Sequence, residues 1–160
     1  MEEIVDRSLT EVRFRVDPEG HIESSYLLLI VDQILVTARV EAESKKQKID
    51  IEVDPTLVIE ADQQAFHSAL SNLIQNALKF TPDGGKIKVR GKAVGDKIVI
   101  EVEDECGGLS GTPSELFKPF KQTHKNRKGL GLGLTIAQRA IELNHGTIEA
   151  RNLPKKGCVF

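Results

Sequence analysis

Three groups of residues in this chain carry side chains and spacings that suit chemistry. The first is Asn72, Asn76 and Lys79. At about 100° per residue on a helix, they fall within about 60° of one another and opposite Leu70 and Ala77. A carboxamide oxygen suits Mg²⁺, and a lysine meets a phosphate as a point charge. The same pattern also describes any solvated helix face. The second is Asp104, which shares its parity with Ile98, Ile100 and Val102 and therefore points where they point. A buried carboxylate needs donors, and a purine amino group is one. Gly107 and Gly108 follow at once and let a ligand lie close to the backbone. A turn-forming Asp at a strand end is the plainer alternative. The third is Gly129-Leu130-Gly131-Leu132-Gly133-Leu134. If it opens a helix, its exposed N–H groups form an anion site.

Other chemistries are excluded by what is missing from the string. Leu134 stands where a dinucleotide-binding loop needs its third glycine, and no G-x-x-x-x-G-K-[ST] occurs. The sequence has no nucleophile elbow and no zinc-protease signature. His21, His67, His124 and His145 show no metal spacing. Cys106 and Cys158, the two cysteines, make neither a disulfide framework nor a zinc site. The net charge is −2 and Trp is absent, so neither an electrostatic nucleic-acid surface nor a base-stacking platform is expected. The longest apolar run, Tyr26 to Val31, is far too short to cross a bilayer, and the N-terminus carries no signal segment. The chain reads as cytoplasmic, reduced and free of direct membrane contact.

These groups must be positioned by regular elements. Leu27, Ile30, Val31, Ile34, Leu35, Ala38 and Ala42 form one helical stripe, with Ser24 or Ser25 expected as its N-cap. Ile49, Ile51 and Val53 alternate with Asp50 and Glu52 and predict a half-buried strand. Val58 and Ile59 suggest a very short one. Asp62 is placed to cap the helix that carries Asn72 and Asn76, buried along Phe66, Ala69, Leu70, Leu73 and Ala77. Thr81-Pro82-Asp83-Gly84-Gly85 stops that helix. Ile87 and Val89 predict a strand, Gly95-Asp96 a hairpin turn, and Ile98 to Val102 the return strand. Residues 105 to 133 lack periodicity. Leu134, Ala137 and Ile141 mark a last helix, ended by Asn144-His145-Gly146. Strands are expected at Ile148 to Ala150 and at Gly157 to Phe160. The fold class is α+β, with one mixed sheet and helices on one face.

Four segments, in order, resemble the ATP-binding catalytic domain of bacterial sensor histidine kinases. Asn72-Leu73-Ile74-Gln75-Asn76-Ala77-Leu78-Lys79-Phe80-Thr81 resembles the N box. Asp104 through Gly107, Gly108 and Leu109 resembles the G1 box. Leu116-Phe117-Lys118-Pro119-Phe120 resembles the F box, and Gly129 to Leu134 the G2 box. The resemblance implies the Bergerat fold of gyrase-type ATPases, a two-layer sandwich with a mostly antiparallel sheet of about five strands on three helices. It implies ATP and Mg²⁺ as cofactors. Asn76 would then ligate Mg²⁺, Asn72 position the phosphates and Lys79 meet phosphate. Phe80 would lie beside adenine, Asp104 accept from its amino group, and Gly108 and Leu109 lie against the nucleotide. Phe120, Lys128, Gly129, Leu130, Gly131, Leu132 and Gly133 would complete a lid over the phosphates.

Two departures qualify the resemblance. Cys106 stands at the first glycine of the usual D-x-G-x-G, where its Cβ is expected to crowd the turn; it reads as a geometric anomaly before it reads as a redox centre. No phosphoacceptor motif such as H-E-x-R-T-P-L is present. Residues 1–20 resemble the end of a dimerisation helix and its linker, and 21–160 the catalytic domain, cut within its last strand. The expected function is transfer of the ATP γ-phosphoryl group to a histidine on a dimerisation domain absent from this chain. A response regulator would be reached through that domain, and the isolated chain would be a monomer. A degenerate nucleotide-binding or docking module is the alternative. A water-activating ATPase of the same superfamily is disfavoured, because its general-base Glu is replaced here by Asn72, and an amide cannot abstract a proton.

Overall fold

The computed structural model describes residues 21–109, 112–118, 132–153 and 157–160. Its elements in chain order are β1 (Ile22–Tyr26), α1 (Leu27–Ser44), β2 (Lys48–Val53), β3 (Val58–Asp62), α2 (Gln63–Phe80), β4 (Lys86–Val94), β5 (Lys97–Asp104), α3 (Pro113–Leu116), α4 (Gly133–Leu143), β6 (Arg151–Leu153) and β7 (Gly157–Val159). Five strands form one sheet in the order β2-β4-β5-β7-β6. β2 runs parallel to β4, and the remaining pairs are antiparallel. β1 and β3 form a separate antiparallel pair.

Along β4 and the end of β5, buried side chains alternate with more exposed ones. Ile87, Val89 and Val102 point into the core, where they meet Leu27, Val31, Leu35 and Ala38 of α1, Leu70, Ile74, Ala77 and Leu78 of α2, and Ala137 and Ala140 of α4. The opposite parity faces solvent as a ladder of ion pairs: Lys86 to Asp50 at 2.7 Å, Lys88 to Glu52 at 3.1 Å, Arg90 to Glu103 at 2.7 Å and Arg151 to Glu101 at 2.7 Å. A one-residue slip of any strand would bury these charges. The ladder therefore fixes the register that places Asp104 on the helix side.

α2 begins as expected: the Asp62 carboxylate accepts from the Ala65 N–H at 2.8 Å. The other Asp62 oxygen accepts from the His21 N–H at 3.0 Å. At the far end, Gln47 donates to the carbonyls of Leu78 at 3.0 Å and Thr81 at 2.6 Å, closing the last turn of α2. The β4–β5 turn is Gly95-Asp96, with Gly95 at φ 62°. α4 ends at Asn144, and His145 takes the left-handed conformation.

Three local expectations are corrected. Ser24 and Ser25 do not cap α1; they lie in β1, opposite Glu60 and Ile59, and Tyr26 occupies the N-cap position without a side-chain bond. A short strand pairing with β3 outweighs the capping preference of two serines. Ile148 and Ala150 are not a strand, which falls instead at Arg151–Leu153; Ala150 is buried against Leu116 and Phe117. Pro113–Leu116 forms a helical turn inside the stretch read as aperiodic. It is too short to show a 3.6-residue period.

Candidate functional site

The first half of the site is built where α2 meets α4. The buried stripe of α2 leaves Asn72, Asn76, Lys79 and Phe80 half-buried on its other side. Gly133 is the first residue of α4, and Leu132 is its N-cap. A Cβ on Gly133 would lie 3.1 Å from Asn72 Oδ1 and 3.8 Å from Asn76 Nδ2. Glycine there lets two carboxamides reach the N-terminus of a helix, where unpaired N–H groups concentrate positive potential. Asn72 is held by donating its amide to the Ser68 carbonyl at 2.8 Å. The Lys79 ammonium sits 5.3 Å from the centre of the Phe80 ring, close enough for a cation–π contact.

The second half lies at the end of β5. Asp104 is 3% exposed and shares the core-facing parity of Val102. Its Oδ1 accepts from the Cys106 N–H at 2.9 Å and from the Cys158 thiol at 3.0 Å. Oδ2 accepts from no described residue. Gly107 and Gly108 follow at φ 82° and 106°, values that side chains with a Cβ rarely adopt. Leu109 is clasped by Asn152 of β6, which accepts from its N–H at 2.6 Å and donates to its carbonyl at 3.3 Å. Leu109, Leu134 and Phe160 pack against the buried cluster of Leu116, Phe117 and Ala150, and Thr135 of α4 donates to the Phe117 carbonyl at 2.9 Å. This small apolar cluster joins the turn after β5 to the start of α4.

Cys106 does not crowd its turn. The left-handed conformations fall on Gly107 and Gly108, while Cys106 keeps a negative φ that any residue adopts. Its sulfur approaches that of Cys158 to 2.6 Å. The hydrogen bond to Cys106, burial, and the hydrogen bond and charge of Asp104 all hold the Cys158 thiol far above its ordinary pKa. Both cysteines are free thiols, and the fold sets them side by side.

A family model described as "Histidine kinase-, DNA gyrase B-, and HSP90-like ATPase" matches residues 61–160. The chain belongs to this family. Among its relatives, the sensor histidine kinase TmoS of Ectopseudomonas mendocina is 34% identical over 125 residues, which is 74% of this chain and 13% of TmoS. The sensor protein TorS of Escherichia coli is 34% identical over 127 residues, 79% of this chain and 14% of TorS. The chain thus spans less than a fifth of either relative. Among solved structures, the catalytic domain of histidine kinase ThkA superposes with a TM-score of 0.76 at 25% identity, covering 88% of this chain and 92% of that one. The fold of this ATPase-family member is that of a histidine kinase catalytic domain, with the five-stranded mixed sheet and three main helices expected from the sequence.

Within that fold, the structure brings together Asn72, Asn76 and Gly133 in one place, and Asp104, Gly108 and Leu109 in another. Phe120, Lys128, Gly129, Leu130 and Gly131 lie outside the described residues. Sequence reasoning missed Asn152 and Cys158. Neither carries a local signal, since each reaches the site only through the pairing of β7 with β5 and of β6 with β7.

Proposed function

We propose that this chain binds Mg-ATP and donates the γ-phosphoryl group to a histidine on a separate dimerisation domain. The observation that carries the reading is the buried Asp104 carboxylate, with Oδ1 occupied by protein donors and Oδ2 left to accept from outside. An adenine amino group pairs with such an acceptor. Gly107 and Gly108 present bare backbone alongside. At the other end, Asn72, Asn76 and the N-terminus of α4 supply amides and positive potential for phosphates. Asn76 offers a hard oxygen that would hold Mg²⁺, the remaining ligands coming from phosphates and water. The ion, when bound, neutralises charge on the phosphate oxygens.

The chain's own part is positioning. Lys79 meets phosphate charge, and the α4 amides orient the triphosphate for in-line attack by a histidine nitrogen. The N–P bond forms as the bond from phosphorus to the leaving ADP oxygen breaks. Asn72 orients without abstracting a proton, so transfer to histidine is favoured over transfer to water. The parent would pass the phosphoryl group on to a response regulator. The isolated domain would be a cytoplasmic monomer without affinity for nucleic acid. Among the described residues, no helix is long and apolar enough to cross a membrane.

The test is trans-phosphorylation. The chain is incubated with labelled ATP, alone and with a separately prepared dimerisation domain of its own parent. Acid-labile label is expected on the added domain only. Label on this chain, abolished by His124→Ala, would mean that the acceptor lies here. Saturable ATP binding without label on either protein would instead favour a degenerate binding module.

A further inference from the structure

The two cysteines are 52 residues apart in sequence, and their sulfurs stand 2.6 Å apart. β7 makes the meeting. It pairs with β5 so that Cys158 lies opposite Asp104, and Gly157 permits the approach, because a Cβ there would overlap the Asp104 carbonyl. Asp104, Cys106 and Cys158 offer three ligand atoms within 4.8 Å of one another, so a metal is one occupant to weigh. Two thiolates sharing a tetrahedral zinc at about 2.3 Å each would stand about 3.8 Å apart. The observed separation is much shorter and approaches the ~2.05 Å of a covalent S–S bond.

We propose that Cys106 and Cys158 form a reversible disulfide when a hydroperoxide oxidises the protein, and that this bond weakens nucleotide binding at Asp104. Cys106 is partly exposed and Cys158 is 1% exposed, so the oxidant reaches Cys106 first. The Cys106 sulfur, as thiolate, attacks the hydroperoxide. An S–O bond forms, the O–O bond breaks, and the alcohol (water, from hydrogen peroxide) leaves, giving a sulfenic acid. The Cys158 sulfur then displaces that oxygen. The S–S bond forms, the S–O bond breaks and water leaves. Asp104 Oδ1, 3.0 Å from Cys158 Sγ, accepts the thiol proton on its way to that water. Two thiols and one hydroperoxide become one disulfide, one alcohol and one water. A dithiol reverses the change by supplying two electrons and two protons. In a reducing compartment such a bond is transient and regulatory.

The consequence follows from donors. In the reduced chain the Cys158 S–H satisfies Asp104 Oδ1. In the disulfide neither sulfur carries a proton, so lone pairs face a carboxylate oxygen. Oδ1 keeps the Cys106 N–H, but repulsion from the sulfur lone pairs turns the carboxylate, and Oδ2 leaves the position from which it accepts an adenine amino group. The loss is that of about one hydrogen bond, a roughly three- to tenfold rise in Kd. By linkage, bound ATP opposes disulfide formation by the same factor. This second clause rests on the ATP-binding reading; the disulfide itself does not.

The test uses the 160-residue chain, reduced, desalted and treated with equimolar hydrogen peroxide. Free thiols are then alkylated and the protein is peptide-mapped without reductant. A peptide linking Cys106 to Cys158 within one chain, reversed by dithiothreitol, is expected. Recovery of Cys106 as a sulfinic acid or an interchain disulfide would overturn the proposal. So would stoichiometric zinc uptake that protects both thiols in the reduced chain. Binding of a fluorescent ATP analogue is measured on the same samples. Peroxide should raise the Kd of the wild type three- to tenfold and leave that of Cys106→Ser at its own reduced value. Equal affinity of reduced and disulfide forms would overturn the coupling. A reduced chain that binds no nucleotide would overturn the ATP reading, while the peptide map still judged the disulfide.

Discussion

Asp104→Asn tests the proposed adenine contact, because the structure dictates how the new amide must sit. The Cys106 N–H and the Cys158 S–H both point at Oδ1, at 2.9 and 3.0 Å. Both are donors and both require an oxygen. The asparagine therefore keeps its carbonyl oxygen at Oδ1, and its NH₂ replaces Oδ2. The turn after β5 retains its bonds, while the acceptor proposed for adenine becomes a donor opposed to the adenine amino group. Mispairing a buried polar group costs about 1–3 kcal/mol, which is roughly a 5- to 150-fold rise in Kd for ATP. A 6-oxo purine presents an acceptor at that place, so inosine triphosphate should lose far less and the preference should shift toward it. Titration of both nucleotides by calorimetry gives the ratio, and urea unfolding reports whether the isosteric change left stability within about 1 kcal/mol of wild type. ATP affinity within twofold of wild type, in a folded variant, would refute the assignment of Oδ2 to adenine.

Gly133→Ala places a methyl 3.1 Å from Asn72 Oδ1; it should leave stability nearly unchanged, because alanine favours helix, yet weaken ATP more than adenosine, and equal loss for both ligands would contradict a phosphate role for Asn72. Gly157→Ala forces β7 away from the Asp104 carbonyl and should cost about 3 kcal/mol in urea unfolding, a cost below about 1 kcal/mol arguing against the tight β5–β7 contact. Under reducing conditions, the raised pKa of the Cys158 thiol contributes stability that is fully present below the ordinary thiol value of 9.0 and lost as the pH rises above it. The unfolded chain ionises there and the folded one does not, so stability should fall by up to about 1.4 kcal/mol per pH unit. Unfolding at pH 8 and pH 10 should show a shallower fall in Cys158→Ala, and identical slopes would mean that the thiol ionises normally in the folded state.

Much of the fold is legible because it is written locally. The α1 stripe from Leu27 to Ala42 is buried in full, Asp62 caps α2, and Gly95-Asp96 turns the hairpin, each signal lying within a few residues of its effect. The Ser24 and Ser25 caps failed for the opposite reason. Their fate depends on β3, more than thirty residues on, and strand pairing across that distance leaves no mark on a serine. Ile148 and Ala150 mislead similarly: their apolar character serves a small cluster with Leu116 and Phe117 rather than a strand.

The sequence by itself determined how the candidate residues are presented locally. Asn72 and Asn76 share a face because helical geometry puts residues four apart together, and Asp104 faces inward because strand parity does. What only the tertiary structure decided is which neighbours those groups meet. Packing of α4 on α2 brings Gly133 against Asn72, and pairing of β7 with β5 sets Cys158 beside Asp104 and Cys106. A helix or strand period reaches only a few residues along the chain, whereas these contacts join segments some fifty to sixty residues apart, through shared burial and backbone hydrogen bonding that no local pattern encodes.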